Sequence, residues 1–311
     1  MAEELVVKAP ASIANLGPGF DVVALALEEP VDVVKVSVRD GSGEVMVYNR
    51  GPYGGDLPTD AKANSAYYVA IRALELANIK ADVIIDIYKG IKPSSGLGSS
   101  GATSAAVAYA LNKLLKLNLS GWDLVELASY GELASAGVRH MDNVAASVMG
   151  GLVIVNQYTR RVIKLKPPNL NIVVVIEGSK PSTGIMRSIL PKSYDRGDVV
   201  FNLANLAQLT YSVAVGDSEG FLEVLENDKI AMPYRISQYP HWPIVKEVLV
   251  NNGARGVTLS GAGPAIVGFF KDKPPVESIR GELARRGLKP LIISTRPSDV
   301  GVEEVKVYSS Q

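Results

Sequence analysis

Residues 81–117 constrain this chain more than any other stretch. Ala81 to Tyr88 alternates like a strand. The loop Lys92-Pro93-Ser94-Ser95-Gly96-Leu97-Gly98-Ser99-Ser100-Gly101-Ala102 follows, and Thr103 to Leu117 reads as a helix rich in alanine and leucine. A strand that ends in a glycine- and serine-rich loop and restarts as a helix is an anion-binding arrangement. Gly96, Gly98 and Gly101 let backbone N–H groups approach phosphate oxygens, and the helix N-terminus adds its dipole. Serine hydroxyls at that place can hydrogen-bond phosphate or ligate Mg2+. No Gly-Lys-Ser/Thr closes the loop, which excludes a Walker A. Gly96 to Gly101 does satisfy G-x-G-x-x-G, so a dinucleotide site is a rival. The acidic ribose partner due about 20 residues further on is unconvincing, because Ser120 to Asp123 reads as a helix start. A glycine turn with no ligand is the other alternative.

The chain around this loop is ordinary. Its 311 residues suffice for two domains and a substantial core. Lysine plus arginine and aspartate plus glutamate each number 32, so no net field points to nucleic acid. There is no cysteine, hence no disulfide framework and no thiolate nucleophile. No apolar run reaches membrane-spanning length, and Met1-Ala2-Glu3-Glu4 lacks the marks of a signal peptide, so a cytoplasmic location is expected.

Glu4 to Ala9 reads as a strand leading into Pro10 through Asp21, where Asn15 and Asp21 lie among glycines and prolines. Turn chemistry and a substrate pocket explain that composition equally well. Val31 to Val38 and Glu44 to Val47 read as strands, with Asp40-Gly41-Ser42-Gly43 as a hairpin signal between them. Asp60 to Ala77 has helical periodicity, and Asn64 in its first turn serves as a cap or a nucleotide contact. Ser120-Gly121-Trp122-Asp123 has the spacing of a capping box for a helix running through Leu133. Glu132 lies near that helix's end among small residues, where a carboxylate needs a partner such as Mg2+. His140-Met141-Asp142-Asn143 then opens a short helix, with Asp142 or Asn143 available to cap it.

A boundary falls near Pro167-Pro168-Asn169, dividing 1–166 from 167–311. The second part has the β-α-β-β-α-β succession of a ferredoxin-like domain, with extra helices inserted. Arg187 and Arg235 lie in that insertion; two guanidinium groups converging on one pocket would suit a carboxylate substrate. Ser260 to Pro264, between two strands, suits close approach to a ligand or to the other domain.

Three of these segments together resemble the GHMP kinases: Lys8 to Asp21, Pro93 to Ala102 and Thr258 to Ala265. Within that superfamily the resemblance is greatest to the homoserine kinase branch, through Ala14 to Asp21, His140 to Ala145, and Thr183 to Pro191. Ser147 departs from that branch, which commonly shows Ala-Pro after the Asn-Val. The resemblance implies an α+β fold, with a first domain like domain 2 of ribosomal protein S5 and a ferredoxin-like second domain. It implies transfer of phosphate from ATP, with Mg2+, to the side-chain hydroxyl of L-homoserine in threonine synthesis. Carried onto matching positions, the segment from Lys92 to Ala102 would bind ATP, Ser95 to Ser100 wrapping the triphosphate. Asn64 would lie beside the adenine, and Ser100 and Glu132 would hold Mg2+. Asn15, Asp21, His140 and Asn143 would surround the amino and hydroxyl end of the substrate. Arg187 and Arg235 would take its carboxylate, with Thr183 nearby. Asn143 would orient the hydroxyl without acting as a strong base. The resemblance also suggests a homodimer, and neither nucleic acid nor membrane as a partner.

Overall fold

Strand and helix periodicities sort the chain in a computed structural model that describes residues 3–136, 139–179 and 183–305; the side chains of 135, 136, 183 and 184 lie outside that description. The first half contains β1 (Glu3–Ala14), β2 (Val23–Asp40), β3 (Val45–Arg50), α1 (Ser65–Ala77), β4 (Ala81–Tyr88), α2 (Ser99–Leu114), α3 (Trp122–Ser129), α4 (Leu133–Ala136), α5 (Asp142–Met149), β5 (Leu152–Asn156) and β6 (Arg161–Leu165). Then come β7 (Asn171–Ile176), α6 (Thr183–Ser188), α7 (Arg196–Val215), α8 (Ser218–Val224), α9 (Met232–Ile236), α10 (Trp242–Asn251), β8 (Gly256–Leu259), β9 (Ile266–Phe270), α11 (Val276–Arg285), β10 (Leu291–Thr295) and β11 (Glu303–Glu304).

The first sheet runs β11-β1-β2-β4-β3, with β5 paired to β2 and β6 to β5. Its spine is β2, long enough to pair with β1 and β4 at one end and with β5 at the other. Residues 40–43 do not turn the expected hairpin. β3 runs parallel to β4, Val45 opposite Val83, and β4 lies between β3 and β2. The cause is a side chain from another strand. Asp82 Oδ1 accepts hydrogen bonds from the backbone N–H groups of Ser42, Gly43 and Glu44 at 2.9, 3.2 and 3.0 Å. The segment folds around that carboxylate instead of closing on itself.

The helix α2 is enclosed by the sheet, α1, α3 and α5. Ala102, Ala105, Ala106, Ala108 and Ala110 have no exposed surface, and their small side chains let a helix be buried nearly all round. A larger residue there would overpack, at about 1–3 kcal/mol. The expected capping box at Ser120 does not form: Gly121 is the N-cap, at φ 52°, with no side-chain cap bond. Glycine takes that left-handed φ without strain, so the helix starts at Trp122 and Ser120 stands outside it. The helix also ends early. Tyr130–Glu132 tightens into a 3-10 turn against α1 and α2, where a Cβ on Gly131 would lie 3.1 Å from Ser65 O.

The second sheet has the order β10-β7-β9-β8, every pair antiparallel, as a ferredoxin-like succession requires. Alternation along β7 divides its contacts. Ile172, Val174 and Ile176 join the core shared with the first sheet, whereas Val173 and Val175 pack with α10 and α11. The chain then returns: β11 pairs with β1, Val7 opposite Glu304.

Candidate active site

A cavity of about 380 Å3 is bordered by the loop before α2, by Asn64, Glu132 and residues 140–143, and by Arg187, Arg235 and Gly261. The loop is shaped by backbone that side chains disfavour. Ser94, Gly96 and Gly98 have φ of 56°, 87° and 64°, and Gly98 is the N-cap of α2. Its carbonyls turn away from the cavity and are held by the protein. Ser95 O accepts from Ala265 N at 3.1 Å, Gly96 O from Ser260 Oγ at 2.6 Å, and Leu97 O from Ser12 N at 3.1 Å. A Cβ on Gly96 would lie 2.8 Å from Gly263 O. The first-turn N–H groups of α2 have no acceptor inside the helix and carry its positive dipole end. Neutral donors and a helix dipole aimed into a cavity suit a phosphate.

Ser100 and Glu132 lie together, Ser100 Oγ donating to Glu132 Oε1 at 2.7 Å beside the cavity. Two hard oxygen ligands fit Mg2+, which keeps most of its shell for water and phosphate. The described residues hold no cluster of three or more histidines, aspartates or glutamates suited to a metal. Asn64 is the cap that its position in the first turn allows, and it also lines the cavity. Its Oδ1 accepts from Ala66 N at 3.0 Å and caps α1, and it borders the cavity at 4% exposure.

Charged groups line the other end. The loop between β1 and β2 holds Asn15, Leu16 and Asp21 at φ of 75°, 49° and 57°, a local strain that needs support from its surroundings. Asn15 supplies some: its Oδ1 accepts from Asp21 N at 3.3 Å and its Nδ2 donates to Gly261 O at 3.3 Å. Arg187 Nη2 donates to Asp21 Oδ2 at 2.5 Å and lies 3.0 Å from His140 Nδ1. Arg235 is 4% exposed. The turn before α9 is fixed by the Asp228 carboxylate, which accepts from the N–H groups of Ile230, Ala231 and Met232. That turn delivers Arg235 under the Phe20 ring, 5.0 Å from its centroid, where Nη1 donates to Gly261 O at 2.9 Å. Arg235 Nε is buried with no hydrogen-bond partner. An orphaned edge of a buried guanidinium fits a carboxylate ligand.

Asn143 lies between the two ends, its Oδ1 accepting from Ser12 Oγ at 2.9 Å. Four of the loop residues stay off the cavity lining. Leu97 and Ala102 point into the core, Gly101 packs against Asn143 and Val144, and Lys92 lies outside the lining set. Thr183 opens α6, and its side chain falls outside the described residues. Ser147 is buried in the core, donating from Oγ to Pro10 O at 2.8 Å.

Two further groups border the cavity that sequence reasoning assigned no role there. Asp142 is the first residue of α5, 5% exposed, and does not act as its N-cap. Burial, followed by the negative charge of Asp21, pushes its carboxyl up to about 7. Lys89 is 1% exposed and paired with Asp32. The only signal was a charged residue beside apolar ones, Asp32 between Val31 and Val33 in β2 and Lys89 directly after Ile87-Tyr88 at the end of β4.

The chain is similar to known proteins. The family model described as the GHMP kinases N terminal domain matches residues 64–151, and the GHMP kinases C terminal model matches 209–289. The homoserine kinase of Methanococcus vannielii is 36% identical over 86% of this chain and 88% of its own length. That of Sulfolobus acidocaldarius is 34% identical over 97% of both chains. Among solved structures, the homoserine kinase of Cytophaga hutchinsonii superposes with a TM-score of 0.87 at 29% identity, covering 97% of both chains. Mevalonate kinase of L. major shares the fold alone, with a TM-score of 0.72 at 18% identity over 95% of both chains.

Proposed function

As the chain belongs to the GHMP kinases, we propose that it transfers the terminal phosphoryl group of ATP to the side-chain hydroxyl of L-homoserine, giving O-phospho-L-homoserine for threonine biosynthesis. One observation carries this reading. A single cavity has a phosphate-type helix N-terminus at one end and two arginines with two carboxylates at the other. The second set complements a zwitterion.

In this reading Ser95 to Ser100 hold the triphosphate through backbone N–H groups, and Asn64 lies beside the adenine. The loop conformation and its anchored carbonyls support the first assignment, and the position of Asn64 on the lining supports the second. Ser100 and Glu132 would hold Mg2+, which when bound neutralises charge on the phosphate oxygens. Arg235 and Arg187 take the substrate carboxylate, with Thr183 nearby, while Asp21 and Asp142 face its ammonium beside Asn15 and His140. The orphaned Nε of Arg235 supports its assignment. Asn143 orients the acceptor hydroxyl, supported by the bond from Ser12 that fixes its amide.

The hydroxyl oxygen forms its bond to the γ-phosphorus as the bond from that phosphorus to the β–γ bridging oxygen breaks, and the hydroxyl proton passes late to an oxygen of the transferred phosphoryl group. Phosphoryl transfer through a loose transition state depends mainly on alignment and charge neutralisation, so no strong base is required.

We further propose a division at 166/167, supported by two sheets that fall on either side of it apart from β11. A homodimer is supported by an apolar stripe on α7, where Val200, Leu203, Tyr211 and Val215 are each more than half exposed. No described helix is long and apolar enough to cross a membrane, and the reaction is placed in the cytoplasm, where ATP is available.

The test is ADP release from Mg-ATP with L-homoserine, D-homoserine, L-serine, L-threonine, shikimate and mevalonate. Strong turnover on L-homoserine alone is expected. Turnover on shikimate or mevalonate without homoserine would overturn the substrate and leave the kinase.

A further inference from the structure

A buried polar cluster lies directly beneath the phosphate loop. Lys89 and Asp32 are 1% and 0% exposed, just past the end of β4 and on β2. The Lys89 ammonium donates to Asp32 Oδ2, to Ser99 O at 2.7 Å and to Thr103 Oγ1 at 2.7 Å. Asp32 in turn accepts from Thr103 Oγ1 at 2.8 Å, from Gly90 N at 3.1 Å and from Ile91 N at 3.0 Å. Ser99 Oγ donates to Ile91 O at 3.0 Å.

We propose that the Lys89–Asp32 pair is a positioning device for the nucleotide: it fixes the first turn of α2 and thereby sets phosphate affinity without touching the phosphate. The inference rests on the phosphotransfer reading above. Three observations carry it. An ammonium has three donors, and all three of Lys89's are engaged inside the protein, so none is left for a ligand. The pair joins β2, the strand end before the loop and α2, the three elements that must keep register for the turn's N–H groups to converge. A buried ion pair is also a poor source of stability, because an apolar pair of similar volume often serves as well. Its placement under this loop has another use.

Replacing Lys89 alone strands a buried carboxylate and risks the fold. The informative variant is therefore the neutral pair Lys89→Met with Asp32→Asn. It should melt within a few degrees of the wild type, while Kd for ADP and KM for Mg-ATP rise about tenfold, about 1.4 kcal/mol. KM for L-homoserine should stay within roughly twofold. Thr103→Val, which removes one hydroxyl from the cluster, should raise Kd for ADP roughly threefold and serves if the double variant does not fold. Asp32→Asn alone separates indirect from direct action. Positioning predicts weaker ADP binding, whereas an ammonium released to meet the phosphate predicts equal or tighter binding, which would overturn the proposal. Wild-type nucleotide affinity in the folded neutral pair would overturn it as well. ADP binding is read by calorimetry without any acceptor. Failure on homoserine therefore sinks only the substrate reading, whereas absence of ADP binding in the wild type sinks both.

Discussion

At the scale of single residues, burial does what residue identity does not announce. Asp142 is an acid whose ionisation the fold opposes, its carboxyl rising from 3.8 to about 7. Between those values the unfolded chain has released a proton that the folded chain keeps. Stability should therefore fall as pH rises from about 4 to about 7 and level off above. Asp142→Asn should remove that decline, seen as a flatter dependence of Tm on pH, and an unchanged slope would refute it. The same ionisation favours a cationic ligand, so KM for homoserine should drop as pH passes 7 in the wild type and stay level in the variant. Arg235→Lys keeps the charge but loses the planar fork. KM for homoserine should rise roughly 10- to 100-fold, since charge-assisted bonds are worth about 1.5–3 kcal/mol, with kcat less affected. If Asn143 only orients the hydroxyl, Asn143→Ala should cost more turnover than Asp21→Asn, and a dominant Asp21 effect with a titrating base in the pH–rate profile would sink that role. Ser100, Glu132 and Arg235 could be singled out from their sequence surroundings: a glycine- and serine-rich loop, a run of small residues, and an insertion between strands. Asp142, Lys89 and Asp32 could not, because a charged side chain in an apolar stretch looks the same whether the fold exposes or encloses it.

At the scale of elements, periodicity was readable and partnership was not. The strand, loop and helix around residues 81–117 appear where alternation and glycine put them, with α2 beginning a turn early, inside the loop itself. The hairpin at 40–43 failed because three backbone donors found Asp82, forty positions away, and local turn chemistry carries no information about that carboxylate. The capping box failed because Gly121 could take the cap position at a φ that serine disfavours. The loop's geometry makes its own prediction. Gly98 sits at φ 64°, where a Cβ would lie 2.9 Å from Asn143 Oδ1 and against Ser12 Oγ. Gly98→Ala should thus disturb both the cap of α2 and the bond that aims Asn143, lowering kcat at least tenfold in steady-state kinetics. Backbone strain of about 1–3 kcal/mol should appear as a lower Tm. Normal turnover in that variant would show that the Ser12–Asn143 contact does not matter.

At the scale of the whole molecule, the phosphate loop is bonded to both halves, through Ser12 on one side and Ser260 and Ala265 on the other. A ligand seated there stabilises the joined arrangement as a unit. ADP at a hundred times its Kd should add about 2.7 kcal/mol, shifting Tm upward by roughly 3–5 °C in a single transition; two separated transitions, only one of them moving, would contradict this. The ferredoxin-like order of the second sheet could be anticipated from its succession of elements. The return of the chain to the first sheet could not, because a two-residue strand has no periodicity to read. That return extends beyond β11. Ser298 N donates to Ala26 O at 2.9 Å, Glu28 N to Arg296 O at 2.8 Å, and Val305 N to Val6 O at 2.8 Å. A ribosome makes residues 3–28 nearly three hundred positions before these partners. Throughout that interval β1 is an edge strand with an open row of donors and acceptors, a template for the wrong neighbour. Until residues 296–305 have been made and folded back, the outer edge of β1 around Val6 to Lys8 is therefore open to pairing with another chain.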